Sequence, residues 1–317
     1  MSLTPVAILP PDTAADDPRV GQLLGRALAP DGAAKVALLG FPVDQGVQRN
    51  GGRAGAAEGP RALREQLYRL CPDAREPEPF VELLAQTRDL GDLIGTGDLE
   101  RDQAELGRLL APLLRAGTFV IVLGGGHETS YGHFLGYVEA ERDVSIQNID
   151  AHADVRALKQ GLGHSGSPFR QAIEHGSGRL GRYRVAALQP QSVAHAHLTF
   201  MHQHGAHYSF RADFRPDAKL YGGPGSWLAT FCLDAVDQAF APGVSAPACH
   251  GLTPDDWLTA AYRAGRSASV SSADVVELNP RFDRDGQTAK LAALTVWEML
   301  RGRAGLLAAR ESATAAT

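Results

Sequence analysis

Thr118-Phe119-Val120-Ile121-Val122-Leu123-Gly124-Gly125-Gly126-His127 is an apolar run that breaks off at three glycines and a histidine. A strand buried on one face alternates apolar and polar residues; one apolar at every position is covered on both faces, the mark of a parallel sheet. The same character recurs at Lys35–Gly40, Val144–Ile149, Tyr183–Ala187, Trp227–Leu233 and Ser267–Leu278. Between these runs lie stretches with helical periodicity: Glu58–Leu70, opened by Gly59-Pro60, then Asp102–Ala116, Thr253–Ala264 and Gln287–Leu300. Proline suits a first helical turn because its missing N–H would have no partner there. Alternation of the two patterns predicts an α/β fold: one three-layer α/β/α domain around a mostly parallel, doubly wound sheet. Its expected extent is 31–307, after an N-terminal leader over 1–30 and before a loose, small and polar tail over 308–317.

The ends of these strands carry the chemistry. Asp150-Ala151-His152-Ala153-Asp154 follows Val144–Ile149 directly. If the strand continues, alternate residues share a face, so Asp150, His152 and Asp154 point the same way. Two carboxylates and an imidazole converging in this way suit a divalent Mn, Fe or Zn ion and are unfavourable to bury without one. His127, Asp234 of Cys232-Leu233-Asp234, and Glu277 likewise close apolar runs. Open α/β sheets place their ligands at the carboxyl edge of the strands. Glu277 stands among apolar residues in Asp274-Val275-Val276-Glu277-Leu278-Asn279-Pro280; it needs a proton or a cation, either an internal basic residue or a cationic substrate group.

Composition narrows the function. Across 317 residues the net charge is −5, with no block of like charges, which disfavours binding to nucleic acid through phosphate neutralisation. No apolar run is long enough to span a bilayer. Three cysteines, Cys71, Cys232 and Cys249, do not form a disulfide framework, and a cytoplasmic protein is expected. Five of the 11 histidines fall at His195, His197, His202, His204 and His207, without the acids or cysteines that a metal site would add. The three glycines before His127 lack the Lys-Ser or Lys-Thr of a phosphate-binding loop.

From about Gly40 to Glu298 the chain resembles the ureohydrolase superfamily of arginases, agmatinases and formimidoylglutamases. Gly40-Phe41-Pro42, Asp44, Gly46, Asn50-Gly51-Gly52-Arg53, Gly55-Ala56 and Gly59-Pro60 carry the N-terminal part of the likeness. Gly124-Gly125-Gly126-His127 and Asp150-Ala151-His152-Ala153-Asp154 match the metal motifs. Ser165-Gly166-Ser167-Pro168-Phe169-Arg170, Ala241–Pro247 and the stretch from Glu277 through Asp283 to Ala289 are similar to the formimidoylglutamase branch.

The resemblance implies an arginase-like fold and two Mn(II) ions per chain, held by His127, Asp150, His152, Asp154, Cys232 and Asp234. It implies hydrolysis of a small amidine, N-formimidoyl-L-glutamate, to L-glutamate and formamide in histidine degradation, by water that the ions render nucleophilic. Relatives commonly form homo-oligomers. Glu277 would orient the cationic amidine, and Arg156 would grip a substrate carboxylate, with Arg170, Arg49 and Arg53 as lesser candidates. Agmatine, having no carboxylate, would leave Arg156 without a task.

Two positions depart from the family pattern. Cys232 stands where an aspartate normally bridges both ions, and a thiolate prefers softer metals than Mn, which puts the second ion in question. The proton-transfer histidine of relatives falls at Ser165, leaving His164 one position away as the candidate, or else Ser165 and solvent. A guanidino-acid hydrolase of the guanidinobutyrase or arginase type is the alternative within the family; a metal-poor, catalytically silent member is the alternative outside enzymology.

Overall fold

A computed structural model describes residues 3–26 and 34–315. Ten strands form one sheet among these residues: β1 (Leu3–Thr4), β2 (Gly25–Arg26), β3 (Val36–Phe41), β4 (Thr87–Leu93), β5 (Phe119–Gly124), β6 (Val144–Ile149), β7 (Leu180–Leu188), β8 (His207–Phe210), β9 (Trp227–Cys232) and β10 (Val270–Val276). Their spatial order is β1-β4-β3-β5-β10-β9-β6-β7-β8, with β2 also on β4. Only β1 runs antiparallel to its neighbour; all other pairings are parallel. Both faces are covered, as an apolar run at every position requires. Along β5, Phe119, Ile121 and Leu123 enter one core while Val120 and Val122 enter the other. Helices Gly59–Leu67, Pro254–Arg266 and Gln287–Ala315 pack on the first face, and Leu99–Ala116 and Thr129–Glu139 on the second.

Strand β4 escapes a hydropathy reading because Asp89 and Asp92 interrupt it. The reason is electrostatic. Arg64 is fully buried and meets both oxygens of Asp89 at 2.8 and 3.0 Å, while Tyr68 donates to the same carboxylate at 2.8 Å. A charge so paired can occupy a sheet interior.

The C-terminal helix does not stop near Leu300. It continues to Ala315, so the expected loose tail is helical over its described part, and residues 316 and 317 lie outside the description. Gly302 and Gly305 suggest a break, but a β-carbon at Gly302 would lie 2.2 Å from the Tyr262 carbonyl oxygen. The glycine is there for close helix packing, which overrides its low helix propensity. The expected boundary between leader and domain, at 30/31, falls within residues 27–33 and so outside the description. The leader contributes β1 and β2 to the sheet edge.

The order β5-β10-β9-β6 is what creates a site. These four strands are neighbours and parallel, so their carboxyl ends open onto one edge.

Candidate metal centre

Each of the four strand ends delivers one segment. His127 lies in the turn between β5 and helix Thr129–Glu139; Cys232 ends β9, and Asp234 sits in the short 3-10 turn Leu233–Ala235. Strand β6 stops at Ile149, and Asp150 to Asp154 form a loop. Strand alternation is therefore not what gathers Asp150, His152 and Asp154. Backbone curvature does it, with Asp154 in the left-handed region at φ 46°. Glu277 follows β10 at φ 69°, its N–H donating to the Gly125 carbonyl at 2.8 Å. A left-handed non-glycine residue stores roughly 1–2 kcal/mol, and such strain gathers at functional sites.

The side chains converge. His127 Nδ1 lies 3.0 Å from Asp150 Oδ2 and 2.9 Å from Asp154 Oδ2. His152 Nδ1 lies 3.2 Å from Asp234 Oδ2 and 3.4 Å from Asp150 Oδ1. Ligand atoms from His127, Asp150 and Cys232 fall within 4.8 Å of one another, as do those from Asp150, His152 and Asp234. The two groups share Asp150.

A buried relay sets the His127 tautomer. Thr230 Oγ1 donates to Asn148 Oδ1 at 3.1 Å, which leaves it to accept from His127 Nε2–H at 3.0 Å. Asn148 in turn donates to Asp150 Oδ2 at 3.2 Å. Nδ1 is thereby turned toward the acids, and in the neutral ring it is the nitrogen that carries the lone pair. Buried atoms without an aligned hydrogen-bond partner at this edge include His127 Nδ1, Asp234 Oδ1 and Glu277 Oε2, with Glu128 Oε2 beside them. Buried polar atoms are normally satisfied. Nitrogen and oxygen donors that crowd together without hydrogen-bond alignment fit divalent cations, and the residues present suit the two-ion site expected of them.

Electrostatics agree. Burial alone would lower the pKa of His127, but Asp150 and Asp154 raise it well above the usual imidazole value. His152 is raised in the same way by Asp234 and Asp150, against its own burial. Burial opposes ionisation of Asp150, yet the two imidazoles outweigh it and hold that carboxyl far below the ordinary range. Asp234 is pushed up, by burial and then by the charge of Asp150, with His152 opposing the rise. Burial, with Glu128 and Asp234 nearby, pushes Glu277 well up, and burial with Asp150 does the same to the Cys232 thiol.

His127, His152, Asp154, Cys232, Asp234 and Glu277 line a cavity of about 270 Å³ together with Asn50, Gly51, Gly52, Arg156, Ser165 and Ser245, while Asp150 is fully buried outside its lining. Glu277 Oε1 accepts the His127 N–H at 2.9 Å, leaving Oε2 free toward the cavity. Arg156 sits exposed at the mouth with its guanidinium on Asn50 Oδ1 at 3.2 Å, and no ion pair to an acid forms among the described residues. The lesser arginine candidates are engaged elsewhere: Arg49 pairs with Glu100, Arg170 with Glu174, and Arg53 stacks on Phe282 at 3.9 Å.

His164 differs from expectation. It is buried and outside the cavity lining, its Nε2 donates to the Ala157 carbonyl at 3.0 Å, and its Nδ1 accepts from Gly166 N–H at 3.1 Å. Both nitrogens hold the loop, so the proton-transfer role expected of it is not carried forward. The histidines from His195 to His207 join no metal-ligating group among the described residues.

The sequence placed Glu128 and Asn50 in motifs but gave neither a role of its own, and it gave no sign of Thr230. Glu128 is fully buried, accepts Gly46 N–H at 2.7 Å and is pushed up to about 7 by burial. Its place directly after His127 was the available signal.

Comparison with known proteins accords with this geometry. A sequence model of the arginase family matches residues 34–301. The formimidoylglutamase of Aromatoleum aromaticum is 38% identical over 297 residues, 87% of this chain and 85% of that one. That of Geobacillus kaustophilus is 37% identical over 277 residues, 83% of each chain. Among solved structures, Trypanosoma cruzi formiminoglutamase with two Mn2+ ions superposes with a TM-score of 0.83 at 29% identity, covering 91% of this chain and 99% of that one. The formimidoylglutamase of Bacillus subtilis, at 21% identity, shares the fold with a TM-score of 0.82 over 93% of this chain and 94% of its own.

Proposed function

This chain belongs to the arginase family, and on that premise we propose that it hydrolyses N-formimidoyl-L-glutamate to L-glutamate and formamide. The oxygen of water bonds to the formimidoyl carbon, the bond from that carbon to the glutamate nitrogen breaks, and the nitrogen leaves with a proton. The cofactor is Mn(II). We assign its two positions to His127, Asp150, Asp154 and Cys232, and to Asp150, His152 and Asp234. Bound there, manganese supplies Lewis acidity that makes water a nucleophile near neutral pH.

The chain's own residues do the rest. Glu277, buried with one oxygen fixed on His127 N–H and the other free, pairs with the cationic amidine and orients its carbon. Arg156 takes a carboxylate of the substrate at the mouth, where planar guanidinium and carboxylate match in two hydrogen bonds. The floor is acidic and the mouth basic, matching a substrate that is cationic at one end and anionic at the other.

An arginine at the mouth with no acid paired to it among the described residues is the observation that carries the substrate choice. The relatives named above are formimidoylglutamases, so neither a guanidino-acid hydrolase nor a silent subunit is favoured. We assign the activity to residues 31–307, as a cytoplasmic homo-oligomer. Three cysteines outside any disulfide support a reducing compartment. No described helix is long and apolar enough to cross a membrane. Turnover of N-formimidoyl-L-glutamate, arginine, agmatine and 4-guanidinobutyrate with Mn(II) tests the reading. N-formimidoyl-L-glutamate is expected to be the preferred substrate; turnover confined to agmatine would overturn it.

A further inference from the structure

We propose that Asn50 is a positioning residue that aims the Arg156 guanidinium at the substrate carboxylate while leaving its charge intact. The inference rests on the substrate reading above and adds to it a second residue that governs specificity.

The carboxamide of Asn50 is held from both ends. Its Oδ1 accepts from Arg156 Nη1 at 3.2 Å, and its Nδ2 donates to Ser165 Oγ at 3.2 Å. These contacts fix which way the amide faces, since an oxygen cannot donate to Ser165 and an NH2 cannot accept from Arg156. Asn50 is itself anchored as the last residue of helix Gln45–Asn50, which Gly51 ends in a left-handed turn at φ 82°. Glu128 pins the start of that helix through Gly46 N–H at 2.7 Å. Near its end, Lys159 Nζ donates to the Arg49 carbonyl at 2.9 Å and Arg49 Nη1 to the Gly163 carbonyl at 3.0 Å.

Gly166 shows how closely the two side chains share their place. A β-carbon there would lie 2.9 Å from Arg156 Cδ and 3.1 Å from Asn50 Nδ2. The Arg156 N–H also donates to the Gly166 carbonyl at 2.9 Å, so the arginine is fixed at its backbone and at its tip. The chemistry of the anchor then matters. A carboxylate at position 50 would hold the guanidinium at least as firmly, but it would neutralise the charge of Arg156 and repel a substrate bearing two carboxylates. A neutral acceptor orients without competing.

The test is Asn50→Asp, with Asn50→Ala as a second variant, each in the wild-type and Arg156→Met backgrounds. The readouts are kcat, KM for N-formimidoyl-L-glutamate, inhibition by L-glutamate, and manganese content. Asn50→Asp is expected to raise KM and the glutamate inhibition constant on the order of tenfold to a hundredfold, the scale of a lost charged hydrogen-bonded contact. It is expected to change kcat by much less and to leave manganese content as in the wild type. In the Arg156→Met background the same substitution should have little further effect, because residues acting through one another are not additive. Equal effects in both backgrounds, or an unchanged KM in a folded Asn50→Asp protein, would overturn the proposal. Should Asn50→Asp not fold, a normal KM in Asn50→Ala would overturn it equally. A wild-type enzyme that does not hydrolyse the compound would instead overturn the substrate reading, and this proposal with it.

Discussion

Replacing Glu277 by glutamine separates its part in function from its part in stability, because the two are expected to move in opposite directions. The Glu277 carboxylate is nearly inaccessible to solvent, and burial raises its pKa well above the usual carboxylate value. In the unfolded chain it ionises near 4.3. The folded metal-free protein therefore holds this proton more tightly than the unfolded chain, and stability falls as pH rises from about 4.3 toward the folded pKa. Glutamine keeps the oxygen that accepts His127 N–H at 2.9 Å but removes the charge, and with it that decline. The metal-free variant should melt at or above the wild-type temperature at neutral pH. Activity should behave otherwise. Removing one partner of a buried charge pair costs about 2–5 kcal/mol. At roughly 1.4 kcal/mol per factor of ten, kcat/KM should fall roughly thirty- to several-thousand-fold. Release of L-glutamate measures the second quantity and thermal melting of metal-free protein the first. Activity within about threefold of wild type in Mn-loaded protein would refute the pairing of Glu277 with the amidine. A large loss of melting temperature would refute the claim that its charge is destabilising.

Arg156→Met should raise KM for N-formimidoyl-L-glutamate by about tenfold to a hundredfold with kcat little changed; steady-state kinetics with an unaltered KM would count against the carboxylate grip. Cys232→Asp should increase Mn(II) affinity in calorimetric titration, since a hard carboxylate would replace a soft, buried thiol, and unchanged affinity would mean the thiol is no handicap. His164→Asn should cost about 1–3 kcal/mol of stability by breaking buried loop contacts while leaving the pH profile of kcat in place, and a displaced profile would restore the ring to proton transfer. Because the acids raise the pKa of His127 and His152, these rings hold protons in metal-free protein at neutral pH. Mn(II) uptake should therefore release protons and tighten as pH rises; titration in buffers of different ionisation enthalpy would show otherwise if the idea is wrong.

What the sequence disclosed depended on whether a signal was local. Six strands were legible because an apolar run at every position admits few alternatives, and the fit of Val144–Ile149 is complete. Strand β4 was not, because Asp89 is compatible with a sheet only through Arg64, 25 residues away. The ligands were legible by residue type, yet the reason given for their convergence was wrong in kind: a loop with a left-handed Asp154, and not strand alternation, brings them together. Arg156 carried its signal in its two-residue distance from Asp154. Asn50 was legible only as part of Asn50-Gly51-Gly52-Arg53, since its contact with Arg156 depends on Ser165 and Gly166, more than a hundred residues further along. His164 misled for a similar reason, as both of its hydrogen bonds are to backbone groups that a sequence does not locate.

The thiol at position 232 becomes intelligible once the metal-free state is considered. Asp150, Asp154, Asp234 and Glu277 are all drawn into a poorly hydrated edge of the sheet and countered, in the metal-free protein, by His127 and His152. Glu277 and Asp234 already show the strain, both carboxyls pushed up by burial, Glu277 further by Glu128 and Asp234, and Asp234 further by Asp150. A further aspartate beside Asp150 would add one more buried negative charge to an unmetallated fold that has no further cation within the cluster to meet it. Cysteine contributes a ligand atom to the His127–Asp150 group while remaining neutral, because burial and the surrounding acids hold its proton in place. The expected outcome is that the thiol eases folding without metal and weakens the grip on a hard cation, two consequences of one charge. Comparing metal-free stability and Mn(II) affinity in the same Cys232→Asp protein would show them moving in opposite directions.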